Sequence, residues 1–109
     1  MKLAIIGSRQ ITRIHIDPYI PAGVTEIVSG GALGIDRCAR IYAQKNKIKL
    51  TEFLPQYDLY GKIAPIIRNK QIIEYSDEIL AFWDGKSKGT FFVINHCNKV
   101  GKKCSVINI

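Results

Sequence analysis

Five short apolar runs, separated mostly by stretches with helical periodicity, constrain the fold of this chain more than any other sequence feature. Strands separated in this way pair in parallel, because each helix carries the chain back across the sheet. The pattern predicts a single α/β domain over residues 1–109, with a Rossmann-like, doubly wound parallel sheet of about five strands. The expected strand order is the common 3-2-1-4-5. The runs cover residues 2–6, 25–28, 48–53, 78–82 and 104–107.

Two of the intervening stretches carry apolar residues at helical spacing, so each is expected to pack one face on the sheet. These residues are Ile35, Ala39, Tyr42 and Ala43 in the first stretch and Val93, Cys97 and Val100 in the last. A further helix is predicted over residues 63–75. In residues 11–20, prolines interrupt a weak alternation, which predicts an irregular or short-helix crossover.

The composition indicates one domain that needs no disulfide bonds. Of the 109 residues, 47% are hydrophobic, which is enough for a core in a chain of this length. The three cysteines, Cys38, Cys97 and Cys104, are odd in number and follow no secretory signal, so we expect free thiols in a cytoplasmic protein. No apolar stretch approaches the roughly 20 residues of a membrane-spanning helix, and neither histidine has metal-ligand spacing. We predict no membrane association, no metal and no cofactor.

The formal net charge of +7 suggests an anionic partner. The basic residues are scattered, however, and several of them lie near helix ends, where cations complement the helix dipole. Solvated faces explain this pattern better than a polyanion-binding surface does. Nucleic acid remains a less favoured partner.

Polar and glycine-rich segments follow the first, second and fourth predicted strands. In the order 3-2-1-4-5 these strands are neighbours, and parallel strands point their carboxyl ends toward one edge. We therefore expect the segments to meet at that edge, with the ligand site in the crevice between strands one and four. The segments are Gly7-Ser8-Arg9, the turn at Gly30-Gly31, and residues 84–90.

The second of these segments, Ser29-Gly30-Gly31-Ala32-Leu33-Gly34-Ile35-Asp36, reads as a strand end, a glycine turn and a helix start. Glycines let the backbone approach a ligand, and the free N–H groups of a first helical turn attract phosphate. A purely structural turn is the alternative. Asp36 has two equally weighted roles, to complement the positive helix end or to hold a ribose hydroxyl.

The segment after the fourth strand offers a second anion site, because hydroxyls, lysines and a glycine precede a helix that begins near Gly89. Ser87 or Thr90 is also suited to cap that helix, and the two roles are compatible. Trp83 either stacks on a base or belongs to the core. In the helix over residues 63–75, Asn69 occupies a predicted apolar face, where it either bonds to a loop or meets the ligand together with Arg68.

Taken in order, four motifs resemble the SLOG superfamily, and specifically its small YspA-like, YpsA-related branch. The motifs are Gly7-Ser8-Arg9, Ser29-Gly30-Gly31-Ala32 with Gly34 and Asp36, Arg68-Asn69, and Ala81-Phe82-Trp83-Asp84-Gly85 with Ser87, Gly89 and Thr90. The resemblance covers nearly the whole chain. It implies a Rossmann-like fold that binds nucleotides or derivatives of the ADP-ribose type, and it implies a homo-oligomer, for which the apolar Tyr57, Leu59 and Tyr60 offer surface.

Two other groups within that superfamily provide the alternative functions, one a family of enzymes and the other a family of DNA-binding proteins. The LOG phosphoribohydrolases cleave nucleotides with a PGGxGTxxE motif and an arginine. Here Val93 stands in the place of the glutamate, and valine cannot stabilise a ribosyl cation. The DprA proteins bind DNA, which agrees with the basic charge.

The sequence therefore predicts a protein that binds, and senses, a nucleotide-like small molecule. The first alternative is a nucleotide N-glycosidase with Asp36, Arg68 and Asp84 as catalytic candidates, and the second is a single-stranded nucleic-acid binder. The predicted ligand-binding residues are Gly7, Ser8, Arg9, Ser29, Gly30, Gly31, Ala32, Gly34, Asp36, Arg68, Asn69, Trp83, Asp84, Gly85, Ser87, Lys88, Gly89 and Thr90.

Overall fold

The computed structural model describes all 109 residues and contains one five-stranded sheet in which every strand pair is parallel. The strand order is β3-β2-β1-β4-β5, as the sequence predicts. The fold is thus a Rossmann-like α/β fold. The strands are β1 (Lys2–Gly7), β2 (Glu26–Ser29), β3 (Lys49–Glu52), β4 (Glu78–Trp83) and β5 (Cys104–Asn108).

Four helices alternate with these strands. They are α1 (Ile35–Lys45), α2 (Tyr57–Tyr60), α3 (Ala64–Tyr75) and α4 (Lys88–Val100). Short 3-10 turns at Asp17–Tyr19 and Gly61–Ile63 complete the regular structure. The first turn lies in the predicted irregular crossover, where no longer helix forms. None of the helices combines the length and the apolar character that crossing a membrane requires.

The core lies on both faces of the sheet, because successive side chains of a strand point to opposite faces. Leu3 and Ile5 of β1 pack with α1 on one face, and Ala4 and Ile6 pack with α3 and α4 on the other. This burial explains why the central strands are continuously apolar. Val100, predicted on the apolar face of α4, is instead 54% exposed, because the helix ends there and Gly101 adopts a left-handed cap.

Helix α3 faces the sheet with a different set of residues from the predicted one. Its buried residues are Ala64, Arg68, Ile72 and Ile73. Ile66, expected on the same face as Asn69, is 43% exposed. Of the two residues predicted to share a face with Asn69, Ile73 is buried and Ile66 is not, and Asn69 itself is half-buried. The charged residue on the inner face is Arg68, one helical turn from both Ala64 and Ile72.

Candidate ligand cleft

A cleft of about 500 Å³ opens at the carboxyl edge of the sheet, beside the ends of β1 and β4. The strand order reverses at this position, because β2 and β3 lie on one side of β1 and β4 and β5 lie on the other. Predicted binding residues from all four motifs line the cleft. They are Gly7, Ser8, Arg9, Gly30, Ala32, Asp36, Arg68, Asn69, Asp84, Ser87, Gly89 and Thr90.

The remaining predicted residues do not line the cleft, although they lie in the same segments. They are Ser29, Gly31, Gly34, Trp83, Gly85 and Lys88. Ser29 is fully buried, and its Oγ accepts a hydrogen bond from the Gly31 N–H at 3.4 Å. Its contribution to the cleft is to hold the glycine turn.

Contacts within the protein explain why glycine is needed at the close approaches around the cleft. A Cβ atom on Gly30 would lie 2.6 Å from Nη1 of Arg68, and one on Gly34 would lie 2.6 Å from the Ser8 carbonyl oxygen. A Cβ on Gly7 would lie 2.5 Å from Cγ1 of Ile35. These glycines let β1, the glycine turn and α1 pack together, so their presence alone does not argue for a ligand.

Gly31 has a positive φ of 70°, and a Cβ atom there would lie 2.5 Å from Cδ2 of Leu54. Both the positive φ and the close approach to Leu54 favour glycine at this position, and neither Gly31 nor Leu54 lines the cleft. A substitution at Gly31 would strain the turn whether or not a ligand is bound.

Arg68 provides a buried cation at the floor of the cleft. It is only 8% exposed. Its Nη1 donates to the carbonyl oxygens of Gly30 at 2.8 Å and Phe53 at 3.3 Å, and its Nε donates to Oδ1 of Asn69 at 2.9 Å. The Nη2 group has no acceptor within the protein. Burial lowers the pKa of Arg68, and the charge of Asp36 opposes that effect, but a guanidinium stays protonated at neutral pH.

Asp36 lies at the start of α1 and is also buried. Its Oδ2 accepts a hydrogen bond from the Ala32 N–H at 3.0 Å, which fixes the turn that leads into the helix. Burial raises the pKa of Asp36, and the Ala32 hydrogen bond and the Arg68 charge reduce that rise. One carboxylate oxygen is therefore committed to the turn, while the residue still borders the cleft.

The loop before α4 is ordered by Asp84. Its Oδ1 accepts hydrogen bonds from the N–H groups of Lys86 and Ser87, each at 2.9 Å. These bonds lower the pKa of the Asp84 carboxyl group. Asp84 thus remains an anion at neutral pH and holds the loop that lines the cleft.

The first turn of α4 combines a helix cap with free backbone donors. Ser87 is the N-cap, and its Oγ accepts from the Thr90 N–H at 3.3 Å. The N–H groups of Lys88 and Gly89 have no acceptor inside the helix, as in any first turn. No protein atom lies within 4 Å of where a Cβ of Gly89 would be, so this turn is open toward the cleft.

Trp83 supports the same loop from outside the cleft. Its Nε1 donates to the Ser87 carbonyl oxygen at 3.1 Å, and its ring stacks on Phe91 with centroids 5.4 Å apart. This packing matches the structural role predicted for Trp83, which does not line the cleft.

Several residues that line the cleft are not among those predicted from the sequence. Gln10 directly follows the Gly7-Ser8-Arg9 loop, and Lys86 lies within the predicted second anion site. The same motifs could therefore have predicted both residues. Pro65 and Ile72 come from α3. Ile72 lies one turn after Arg68, and correct assignment of the inner face of α3 would have identified it.

Val93 is buried in the core and does not line the cleft. It has no solvent-accessible surface and packs with Ala4, Ile6 and Cys97. The structure contains no group of three or more His, Cys, Asp or Glu side chains arranged to hold a metal ion.

Comparison of the chain with protein-family models, with curated proteins and with solved structures finds no match. The resemblance to the SLOG superfamily therefore rests on the quoted motifs.

Proposed function

We propose that the cleft binds the phosphate of a nucleotide or nucleotide-derived ligand, and that the protein acts as a sensor of that ligand. The observation that carries this proposal is the buried side chain of Arg68, which lines the cleft and whose Nη2 has no protein acceptor. An arginine N–H group without a protein acceptor is available to a ligand. A phosphate oxygen would supply the acceptor, and charge-assisted hydrogen bonds from arginine to phosphate are among the strongest in proteins.

The first turn of α4 supports the same assignment. Its free N–H groups and positive dipole end attract anions, and Gly89 leaves room for one to approach. Arg9, Arg68 and Lys86 outnumber Asp36 and Asp84 among the charged residues that line the cleft. A volume of about 500 Å³ lies within the ordinary range of small-molecule sites.

We also propose that the chain is a member of the SLOG superfamily, in its YspA-like branch, and acts in the cytoplasm. The support is the combination of the parallel sheet order with four motifs that lie at one sheet edge. On this assignment, AMP and ADP-ribose are the first ligands to test, followed by NAD and cyclic nucleotides.

Gly89→Leu tests the proposal without removing a structural hydrogen bond. Leucine is a better helix former than glycine and has room in the free protein, so the variant should fold. Its side chain should occupy the space above the free N–H groups and weaken ligand binding at least about tenfold, or 1.4 kcal/mol. Thermal-shift screening followed by calorimetry with the best ligand measures this.

Asn98→Leu, at an exposed position on the same helix, is the matched control and should bind as the wild type does. If no nucleotide raises the melting temperature of the wild type, or if Gly89→Leu binds equally well, the proposal fails. Oligonucleotide binding that falls steeply with salt and survives Gly89→Leu would instead favour the nucleic-acid alternative.

An N-glycosidase is the second candidate, because two carboxyl groups in the cleft have pKa values displaced in opposite directions. Burial raises the pKa of Asp36, and backbone hydrogen bonds lower that of Asp84. Such separation is typical of an acid paired with an anionic stabiliser. Glycosidic cleavage passes through an oxocarbenium-like transition state that needs a carboxylate.

We expect little base release, because Asp84 and Asp36 are each engaged by backbone N–H groups and Val93 lies in the core. Incubation with AMP, GMP, CMP and UMP, followed by chromatography of the free bases, measures this. Turnover near one per second that Asp84→Asn or Asp36→Asn abolishes would replace the sensor assignment with the glycosidase.

A further inference from the structure

Two of the three free cysteines lie side by side on the far end of α4 from the cleft. Cys97 belongs to the last turns of α4 and has no solvent-accessible surface. Cys104 begins β5, is partly exposed, and packs against the hydrophobic cluster that contains Cys97. The two thiols are close enough to change each other's pKa. Neither residue lines the cleft.

The turn between the two cysteines is held by its backbone. Gly101 adopts the left-handed conformation that ends α4, and the Lys102 N–H donates to the Cys97 carbonyl oxygen at 2.9 Å. The Lys103 carbonyl oxygen in turn accepts from the Ile79 N–H of β4 at 2.9 Å. The helix end and the strand start are therefore fixed relative to each other, and the two thiols stay adjacent.

The environments of the two thiols differ in a way that suits sequential chemistry. The neighbouring Cys97 thiol lowers the pKa of Cys104 and favours its thiolate, which is the nucleophilic form. The same contact, together with burial, raises the pKa of Cys97. Cys104 thus combines solvent access with nucleophilic character, and Cys97 is a protonated neighbour shielded from oxidants in solution.

We propose that Cys97 and Cys104 are a redox modification site, in which hydrogen peroxide converts the two thiols into a reversible intramolecular disulfide. In the first step the Cys104 sulfur attacks a peroxide oxygen, the O–O bond breaks, and a sulfenic acid and one water form. In the second step the Cys97 sulfur attacks the Cys104 sulfur, the S–O bond breaks, and a second water leaves with the Cys97 proton. Each sulfur loses one electron, and the peroxide is reduced to two waters.

Cys38 has no part in this chemistry. It lies on α1 and packs against the cluster on the opposite face of the sheet. Cys38→Ser is therefore the matched control, since it removes one thiol and leaves the pair intact. Cys104→Ser removes the attacking thiol, and Cys97→Ala removes the thiol that resolves the sulfenic acid.

The experiment treats the purified full chain with hydrogen peroxide, alkylates the remaining thiols and determines the mass by spectrometry. Wild type and Cys38→Ser should each lose two hydrogen atoms, and alkylation of wild type should fall from three thiols to one. Dithiothreitol should restore all of them. Tryptic cleavage after Lys102 or Lys103 separates the cysteines, so a linked pair of peptides identifies the bond.

Cys104→Ser should keep both of its remaining thiols, and Cys97→Ala should accumulate a sulfenic acid on Cys104 that dimedone traps. The proposal is overturned if wild type retains three alkylatable thiols, or if its disulfide joins Cys38 or links two chains. It is equally overturned if Cys104→Ser still forms an intramolecular disulfide.

Discussion

Glu26 and Arg68 are both buried charged side chains, but the protein satisfies them to different extents. Glu26 lies at the amino edge of the sheet, where it accepts hydrogen bonds from the hydroxyls of Tyr75 and Thr51, the latter at 2.8 Å, and pairs with Lys49 at 3.7 Å. Arg68, at the carboxyl edge, keeps one donor group without an acceptor. We infer that Glu26 serves the fold, whereas Arg68 serves a ligand.

The structural role of Glu26 predicts a pH dependence of stability. Its hydrogen bond to Tyr75 lowers the pKa of Glu26 in the folded protein below the ordinary 4.5. A lowered folded pKa adds stability above the unfolded pKa, and that stability is lost as the pH falls through the folded value. Glu26→Gln should therefore be less stable than wild type at pH 7, and the difference should shrink in acid.

Urea unfolding midpoints, measured for both proteins between pH 7 and about pH 2, test this prediction. Glu74→Gln, at an exposed position of α3, is the control for a carboxylate without these partners and should leave the pH profile unchanged. A constant difference between wild type and Glu26→Gln across the whole range would assign its effect to packing alone.

At the scale of whole elements, the sequence predicted the sheet order and the edge where the motifs meet, because both follow from the alternation of strands with helices. It failed for α3, where Ile66, Ile67, Ile72 and Ile73 allow more than one apolar face. A charged residue is normally assigned to solvent, and only the carbonyl oxygens of Gly30 and Phe53, distant in sequence, make Arg68 an inner residue.

In the loops, too, contacts between residues distant in sequence limit what the sequence predicts. The sequence identified Ser87 as a candidate helix cap because capping is a local property of the chain. It did not predict that Asp84 holds the loop through backbone N–H groups. The roles of Trp83 and Gly31 depend on Phe91 and Leu54, whose positions are set by tertiary packing. Local rules therefore predicted which segments form the cleft and most of the residues that line it, but not which residues of those segments face away from it.

At the scale of the molecule, the segment between β3 and α3 exposes apolar side chains that the core does not cover. Neither α2 nor the 3-10 turn at Gly61–Ile63 contains a buried residue. Half of the large hydrophobic residues that are exposed lie between positions 54 and 66, namely Leu54, Tyr57, Leu59, Tyr60, Ile63 and Ile66. Concentrations of exposed apolar residues of this kind are typical of association surfaces.

We therefore expect this segment to associate with a second copy of the chain and form a homodimer. Leu59 is 67% exposed, so Leu59→Asp should leave the fold intact and place a charge in the interface, which favours the monomer. Ile41→Asp is the matched control, since Ile41 is 53% exposed on α1, away from the segment. Light scattering after gel filtration at micromolar concentrations should give twice the chain mass for wild type and Ile41→Asp, and the mass of one chain for Leu59→Asp. A single-chain mass for wild type at every concentration would contradict the dimer, and dissociation by Ile41→Asp but not Leu59→Asp would place the interface on α1.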